Sequence, residues 1–164
     1  MSSDNTKTTS ANASIIEIEQ SEEYREWLAF AQIDYECADY LNKAPLNPKP
    51  LNVVCYHCQQ AAEKAIKGLI IYFGKQGGAP KVHDLTFLLE QVKNIAQSQK
   101  GAIVTRDLMT MADGLSKYGV ASRYPNEIDV DEFRVAKALR DSLTLVEWVR
   151  QTIEAPFVKD GVEK

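Results

Sequence analysis

Apolar residues recur every three or four positions along most of this chain, which is the spacing of one face of an α-helix. The strongest pattern runs from about Asn52 to Phe73, where two neighbouring apolar stripes predict a helix at the centre of a bundle. No segment alternates between apolar and polar residues for long enough to predict a strand, and no segment repeats at a fixed period. The pattern therefore predicts an all-α fold.

The same periodicity predicts four more helices, and short connections between them favour antiparallel neighbours. We therefore expect an antiparallel up-and-down bundle. Its four main helices are the first, second, fourth and fifth, and the third is an additional short helix at one end. The four further helices are predicted at about residues 21–42, 83–96, 103–118 and 131–153.

Helix boundaries follow from capping residues and prolines. Ser21 is a candidate N-cap of the first helix, and a stretch with three prolines ends that helix. His83 or Asp84 lies near the cap of the third helix, and Asp129 or Asp131 caps the last one.

The length of 164 residues fits one domain. Residues 1–20 are expected to be a disordered segment, because they begin with a run rich in Ser, Thr and Asn without apolar periodicity. Residues 21–155 form the predicted bundle, and residues 156–164 are expected to be a frayed tail.

Composition narrows the class of protein. The chain is 45% hydrophobic and carries a net charge of −4, so no global positive field attracts DNA or an anionic membrane. It shows no signal peptide, and its longest apolar run is far shorter than the roughly 20 residues that span a bilayer. We expect a cytoplasmic protein that binds neither DNA nor a membrane.

The motif Cys55-Tyr56-His57-Cys58 is the first candidate for chemistry. A zinc site needs four ligands, and no second pair of Cys and His follows downstream, so no metal and no other cofactor is expected. Cys is among the most buried residue types, and three cysteines are an odd number for a disulfide framework. The motif therefore predicts reduced thiols in the core.

A polar ridge on the second helix is the second candidate. His57, Gln60, Lys64 and Lys67 are spaced i, i+3, i+7 and i+10, so they lie on one side of the helix. Three interpretations stay open: a solvated face, a buried polar network or interface, and a site for a phosphate or another anion. Residues 44–100 hold 7 basic and 3 acidic side chains, which modestly supports the anion site.

The loop before the last helix is the third candidate, because Arg123 and Tyr124 place a guanidinium beside an aromatic ring there. Loops on a rigid scaffold often carry function. The alternative is that Arg123 caps the fourth helix or pairs with Glu127, Asp129 or Asp131, while Tyr124 plugs the end of the bundle.

Three motifs in this order resemble a known family. They are Cys58-Gln59-Gln60-Ala61-Ala62-Glu63-Lys64-Ala65-Ile66-Lys67-Gly68-Leu69, His83-Asp84-Leu85 and Ser122-Arg123-Tyr124-Pro125. From about Tyr24 to Ile153 the chain closely resembles a bacterial or archaeal HEPN (higher eukaryotes and prokaryotes nucleotide-binding) domain protein. The resemblance implies a helical bundle that commonly forms a homodimer and binds nucleotides or RNA. Standalone members often accompany a minimal nucleotidyltransferase, and some members are metal-independent ribonucleases and toxins.

The resemblance also places a catalytic His four to six residues after the motif Arg, which is Arg123 here. The matching positions hold Ile128, Asp129 and Val130, so the imidazole that moves a proton near neutral pH is missing. We therefore expect a noncatalytic HEPN protein that binds a nucleotide or a partner, with a degenerate ribonuclease or toxin as the alternative. The candidate ligand or interface residues are Gln60, Lys64, Lys67, Arg123 and Tyr124.

Overall fold

The computed structural model describes residues 6–74, 78–99, 102–121 and 129–155, and the regular structure in these ranges is entirely α-helical. The prediction of an all-α bundle is confirmed. The helices are α1 (Thr6–Lys43), α2 (Leu51–Tyr72), α3 (Leu85–Gln99), α4 (Arg106–Ser116), α5 (Tyr118–Ala121) and α6 (Glu132–Glu154).

Helix α1 begins earlier than the sequence predicts. The expected disordered segment covered residues 1–20, yet the backbone is helical from Thr6, and Ser21 lies inside the helix instead of capping it. Residues 6–20 contain neither proline nor glycine, so no helix-breaking residue interrupts α1 in this stretch. The predicted tail at 156–164 lies outside the described residues.

Helix α2 is the centre of the bundle, as its two apolar stripes predict. It packs against α1 and α6 on two sides and against α3 on a third. Residues of both stripes are fully buried there, including Val54, Ala61, Ile66 and Leu69. Within the described ranges, none of the helices combines the length and the apolar character that spanning a bilayer requires.

Contacts between side chains give the helix directions. Tyr24 of α1 contacts Tyr72 at the end of α2, with 5.2 Å between ring centroids. Further along α1, Oδ1 of Asp34 lies 2.9 Å from Nδ1 of His57, which is nearer the start of α2, so these helices are antiparallel. Ser142 donates a hydrogen bond of 2.8 Å to the carbonyl of Cys58, and Lys49 lies 3.8 Å from Glu132, so α6 runs in the direction of α2. This is the order of an up-and-down bundle.

Polar caps begin three of the helices. Asp84 accepts hydrogen bonds from the amides of Thr86 and Phe87 at 2.9 and 3.0 Å and so caps α3. Thr105 caps α4, and Asp131 accepts from the amide of Arg134 at 2.7 Å to cap α6. The caps at Asp84 and Asp131 are among those that the sequence predicts.

The short helix α5 begins at about residue 118, where the fourth helix is predicted to end, and its other three residues lie in the stretch that the sequence predicts as a loop. Gly119 sits against the buried side chain of Gln59, and a Cβ atom on this glycine would lie 3.0 Å from the Cδ atom of Gln59. A distance this short is below ordinary van der Waals contact. The absence of a side chain at residue 119 therefore lets α5 pack directly on the polar part of α2.

We predict that Gly119→Ala lowers the free energy of unfolding by about 1–3 kcal/mol, because Gln59 is held by hydrogen bonds and has no free space to enter. Urea unfolding followed by far-UV circular dichroism measures the change. The matched control is Gly114→Ala in α4, where the new Cβ meets only the Nζ atom of Lys137 at 3.8 Å. This control should gain up to about 1 kcal/mol from helix propensity. Equal effects of both variants would contradict the packing argument.

Candidate functional site

Lys67 of the polar ridge belongs to an ionic cluster with Gln59 and Glu63 of α2 and with His83, which precedes α3; we call this group the inner cluster. The Nζ atom of Lys67 donates to Oε1 of Glu63 at 2.7 Å, and Nε2 of Gln59 donates to Oε2 at 2.8 Å. Nδ1 of His83 lies 3.0 Å from Oε1 of the same carboxylate. Gln59, Glu63 and Lys67 are buried, so these contacts replace water around the charges.

Burial by itself raises the pKa of Glu63, but hydrogen bonds from Lys67, Gln59 and His83 and the charge of Lys67 outweigh it, so the pKa lies below its ordinary value. The carboxylate is therefore ionised and can only accept hydrogen bonds. His83 must then donate from Nδ1. Its side chain is 66% exposed, so the other ring nitrogen, Nε2, is left to the solvent.

A second ionic cluster, the outer cluster, joins α1 to α2 through Asp34, His57 and Lys64. Nδ1 of His57 lies 2.9 Å from Oδ1 of Asp34, and the Nζ atom of Lys64 donates to Oδ2. Asp34 is buried, whereas about a quarter of each partner side chain is exposed. The carboxylate of Asp34 on α1 thus neutralises Lys64 of the polar ridge.

Of the three interpretations of the ridge, the structure shows the polar network. Lys67 is buried on Glu63, Lys64 is paired with Asp34, and Gln60 donates to the Oε1 atom of Gln59 at 2.7 Å. These three predicted ligand residues lie on one helix: Lys67 belongs to the inner cluster, Lys64 belongs to the outer cluster, and Gln60 is hydrogen-bonded to Gln59 of the inner cluster. Each of them already has a partner inside the fold.

The outward face of α1 carries a second group of features that sequence reasoning missed. Phe30, Ile33 and Tyr40 are 57%, 53% and 72% exposed, and with Cys37 they follow the spacing i, i+3, i+7 and i+10. The signal was present in the sequence, because α1 is apolar on more than one side. We call this row of four residues the α1 stripe.

A pocket of about 440 Å³ lies at the N-terminal end of the α1 stripe, between α1 and α2. Its lining residues are Glu23, Glu26, Trp27, Phe30 and Lys64. The Nζ atom of Lys64 lies 5.9 Å from the ring centroid of Phe30, and Nζ of Lys67 lies 5.7 Å from that of Trp27. The pocket therefore adjoins the lysines of both clusters.

A larger cleft of about 700 Å³ lies at the opposite end of α2. It is lined by residues 49–53 and 129–130, and it holds none of the ridge residues. No side chain caps the start of α2 there.

Cys55 and Cys58 are free, fully buried thiols, as the sequence predicts. Burial raises the pKa of Cys55 to about 11 and that of Cys58 further, so both remain protonated near neutral pH. Within the described ranges, no three side chains of His, Cys, Asp or Glu are grouped in a way that suits a metal ion.

Comparison with known proteins now decides the family. The sequence model of the HEPN domain family matches residues 24–152, which is most of the chain. The protein belongs to the HEPN domain family. It is similar to TT1696 from Thermus thermophilus, with 25% identity and a TM-score of 0.62 over 79% of this chain and 98% of the other. It also shares the fold of ST0689, an archaeal HEPN homologue, with 23% identity and a TM-score of 0.58 over 80% and 98% of the two chains. A search of curated proteins finds no match.

Two of the three motifs that resemble the HEPN family build the ionic clusters. The α2 motif supplies Gln59, Glu63, Lys64 and Lys67, and the His-Asp-Leu motif supplies His83. The third motif, with Arg123 and Tyr124, lies outside the described residues, so the ligand roles of these two residues stay predictions.

We predict that Glu63→Gln destabilises this HEPN bundle by about 3–5 kcal/mol near neutral pH, because the ammonium of Lys67 would stay buried without a counterion. The double variant Glu63→Gln/Lys67→Met removes both charges and should lose less. Urea unfolding at several pH values measures these differences.

The pH dependence has a fixed sign. Since the folded pKa of Glu63 lies below the unfolded value of about 4.3, its stabilising contribution is complete above that pH and is lost as pH falls through the folded pKa. The stability difference between wild type and Glu63→Gln should therefore shrink in acid. A difference that stays constant down to the acid transition would refute this account.

Proposed function

We propose that this HEPN protein is a noncatalytic binding subunit that holds a partner protein through the outward face of α1. The observation that carries the proposal is the α1 stripe, in which three large apolar side chains are more than half exposed in one continuous row. Single exposed apolar residues are ordinary, but a contiguous row beside a pocket is typical of a protein interaction surface.

The ion pairs of Lys64 and Lys67 inside the bundle favour binding of a partner protein over binding of a nucleotide. A phosphate site needs cations or amides that are free to bind the anion. Lys67 is buried on Glu63 and Lys64 is held by Asp34, so binding a phosphate there would leave a buried carboxylate without its cation. Gln60, Lys64 and Lys67 are thus proposed to support the interface, and Arg123 and Tyr124 remain candidates for ligand contact.

The resemblance to standalone HEPN proteins suggests which partner class to test first. It implies a minimal nucleotidyltransferase as the partner and a homodimer as the oligomeric state. Both are proposals for this chain. The partner class is testable without knowing any ligand, because the two proteins are expected to purify together.

We predict that the tagged protein, purified from its native cells, carries a nucleotidyltransferase that mass spectrometry identifies, and that Ile33→Asp reduces the bound amount at least about tenfold. A carboxylate in the middle of the α1 stripe would have to lose its water on binding. The control is Phe87→Asp, a similar change at an exposed position on α3, which packs against α2 and α4.

The Phe87→Asp control should still purify with the nucleotidyltransferase. Loss of the partner from both variants, or from neither, would refute the proposed surface. Circular dichroism of both variants checks that each is folded.

One observation favours the ribonuclease as a second candidate function. Attack by a ribose 2′-hydroxyl without metal needs a group that accepts a proton near neutral pH, and imidazole is the usual one. His83 is held at Nδ1 by Glu63, with most of its side chain in solvent. This is the arrangement in which a carboxylate orients a histidine for proton transfer.

For this candidate, we expect purified protein to cleave total RNA and His83→Gln to slow cleavage by about 10²-fold or more, because general acid–base groups contribute roughly that much. His57→Gln is the matched control, since its imidazole is mostly buried on Asp34. Arg123→Ala tests the motif Arg. Gel electrophoresis of the RNA measures the rates, and equal rates in wild type and His83→Gln would remove His83 as the proton-transfer group.

A further inference from the structure

The pocket at the end of the α1 stripe is lined by residues that favour a positively charged ligand group. Two of its lining side chains, Glu23 and Glu26, are carboxylates on consecutive turns of α1, and two others, Trp27 and Phe30, are aromatic. Aromatic rings cover the methylene stem of a long basic side chain, and carboxylates bind its charged end. This combination suits an ammonium or guanidinium group.

The charges around the pocket do not cancel. Lys64 lines the pocket but is bound by Asp34, and Lys67 behind Trp27 is bound by Glu63. Within the described residues, no salt bridge or hydrogen bond is found for the carboxylates of Glu23 and Glu26. The pocket is therefore lined by two carboxylates that no described cation neutralises.

The α1 stripe continues from this pocket along the helix. From Glu23 to Tyr40 the face is about 25 Å long at 1.5 Å per residue. A partner helix of about 17 residues would cover it. Apolar side chains spaced i, i+3, i+7 and i+10 on that partner would pack on the four residues of the α1 stripe.

We propose that this face binds an amphipathic helix of the partner protein that carries a Lys or Arg side chain at the end placed in the pocket of Glu23 and Glu26. The proposal rests on the proposed function and names the chemistry of the partner at that surface. The basic side chain fixes the position of the helix along α1, and the apolar row supplies most of the buried area.

Charge argues against a second copy of this chain as the occupant. From residue 22 to residue 43, α1 carries six acidic side chains and two basic ones. Lys43 is already paired with Asp39 at 2.6 Å. Packing α1 on α1 of another copy would bring these acidic faces together, whereas a basic helix complements them.

The test uses the full chain and two synthetic helical peptides of about 18 residues with the same apolar positions. One carries Lys and Arg at one end, and the other carries Glu at the same positions. Fluorescence anisotropy of the labelled peptides measures their Kd values. We expect the basic peptide to bind, with its Kd raised about tenfold in Glu23→Gln/Glu26→Gln and raised again by Ile33→Asp. The acidic peptide should not bind.

The matched control is Glu90→Gln/Asp113→Asn, which removes two exposed carboxylates from α3 and α4 and should leave the Kd unchanged. An equal loss of binding in this control would mean attraction to net charge alone and would overturn the proposal. Competition with spermidine tests whether the pocket binds a free amine instead of a helix. If it displaces the peptide fully and Ile33→Asp has no effect, the pocket is a small-amine site and the helix proposal is wrong.

The two proposals fail in different ways. If the native partner is lost in Ile33→Asp but the basic peptide binds no better than the acidic one, the partner surface stands and its basic chemistry is wrong. If the native partner ignores Ile33→Asp, the proposed function fails whatever the peptides do. Sedimentation of the protein alone reports a second copy, and self-association lost in Ile33→Asp would assign the face to a homodimer instead.

Discussion

A carboxylate buried at the centre of the bundle is the constraint on which the rest of this structure depends. An unpaired charge at the position of Glu63 would cost several kcal/mol, so the fold must bring donors to it. Gln59 and Lys67 come from its own helix, and His83 comes from the start of α3. Gln59 in turn packs against α5, where a Cβ atom on Gly119 would lie 3.0 Å from its Cδ atom. One buried charge thus ties α2, α3 and α5 together.

This pairing decides what α2 offers to other molecules. A ridge with two lysines looks like an anion site when it is read from one helix alone. In the folded protein both lysines are needed to neutralise carboxylates inside the bundle, so the ridge holds the helices together. The surface available for binding is instead on α1. Its outward face has large apolar side chains and, within the described part of the chain, carboxylates without partners. For this reason the proposals for function concern α1 and the exposed nitrogen of His83.

The sequence predicted the features that depend on near neighbours in the chain. Apolar periodicity located α2, and Asp84 and Asp131 marked the starts of α3 and α6, because caps and periodicity are local. The pairing of Lys64 with Asp34 spans 30 positions and depends on how α1 lies on α2, so no local pattern contains it. The early start of α1 was missed because a composition rich in Ser and Thr outweighed the absence of any helix-breaking residue.

The α1 stripe was hidden for a different reason. A helix that is apolar on several sides does not reveal by periodicity which side is buried. Contact with α2 decides which side of α1 is buried, and the two helices are in close contact at Gly68. A Cβ atom added to this glycine would lie 3.2 Å from the Cβ of Trp27 and 3.3 Å from the carbonyl oxygen of Tyr24. A side chain there would push α1 away and change the distance between Phe30 and Lys64 across the pocket. The shape of the proposed docking surface is therefore set by a glycine on the opposite helix, and substitutions at residue 68 should alter partner binding without touching the partner.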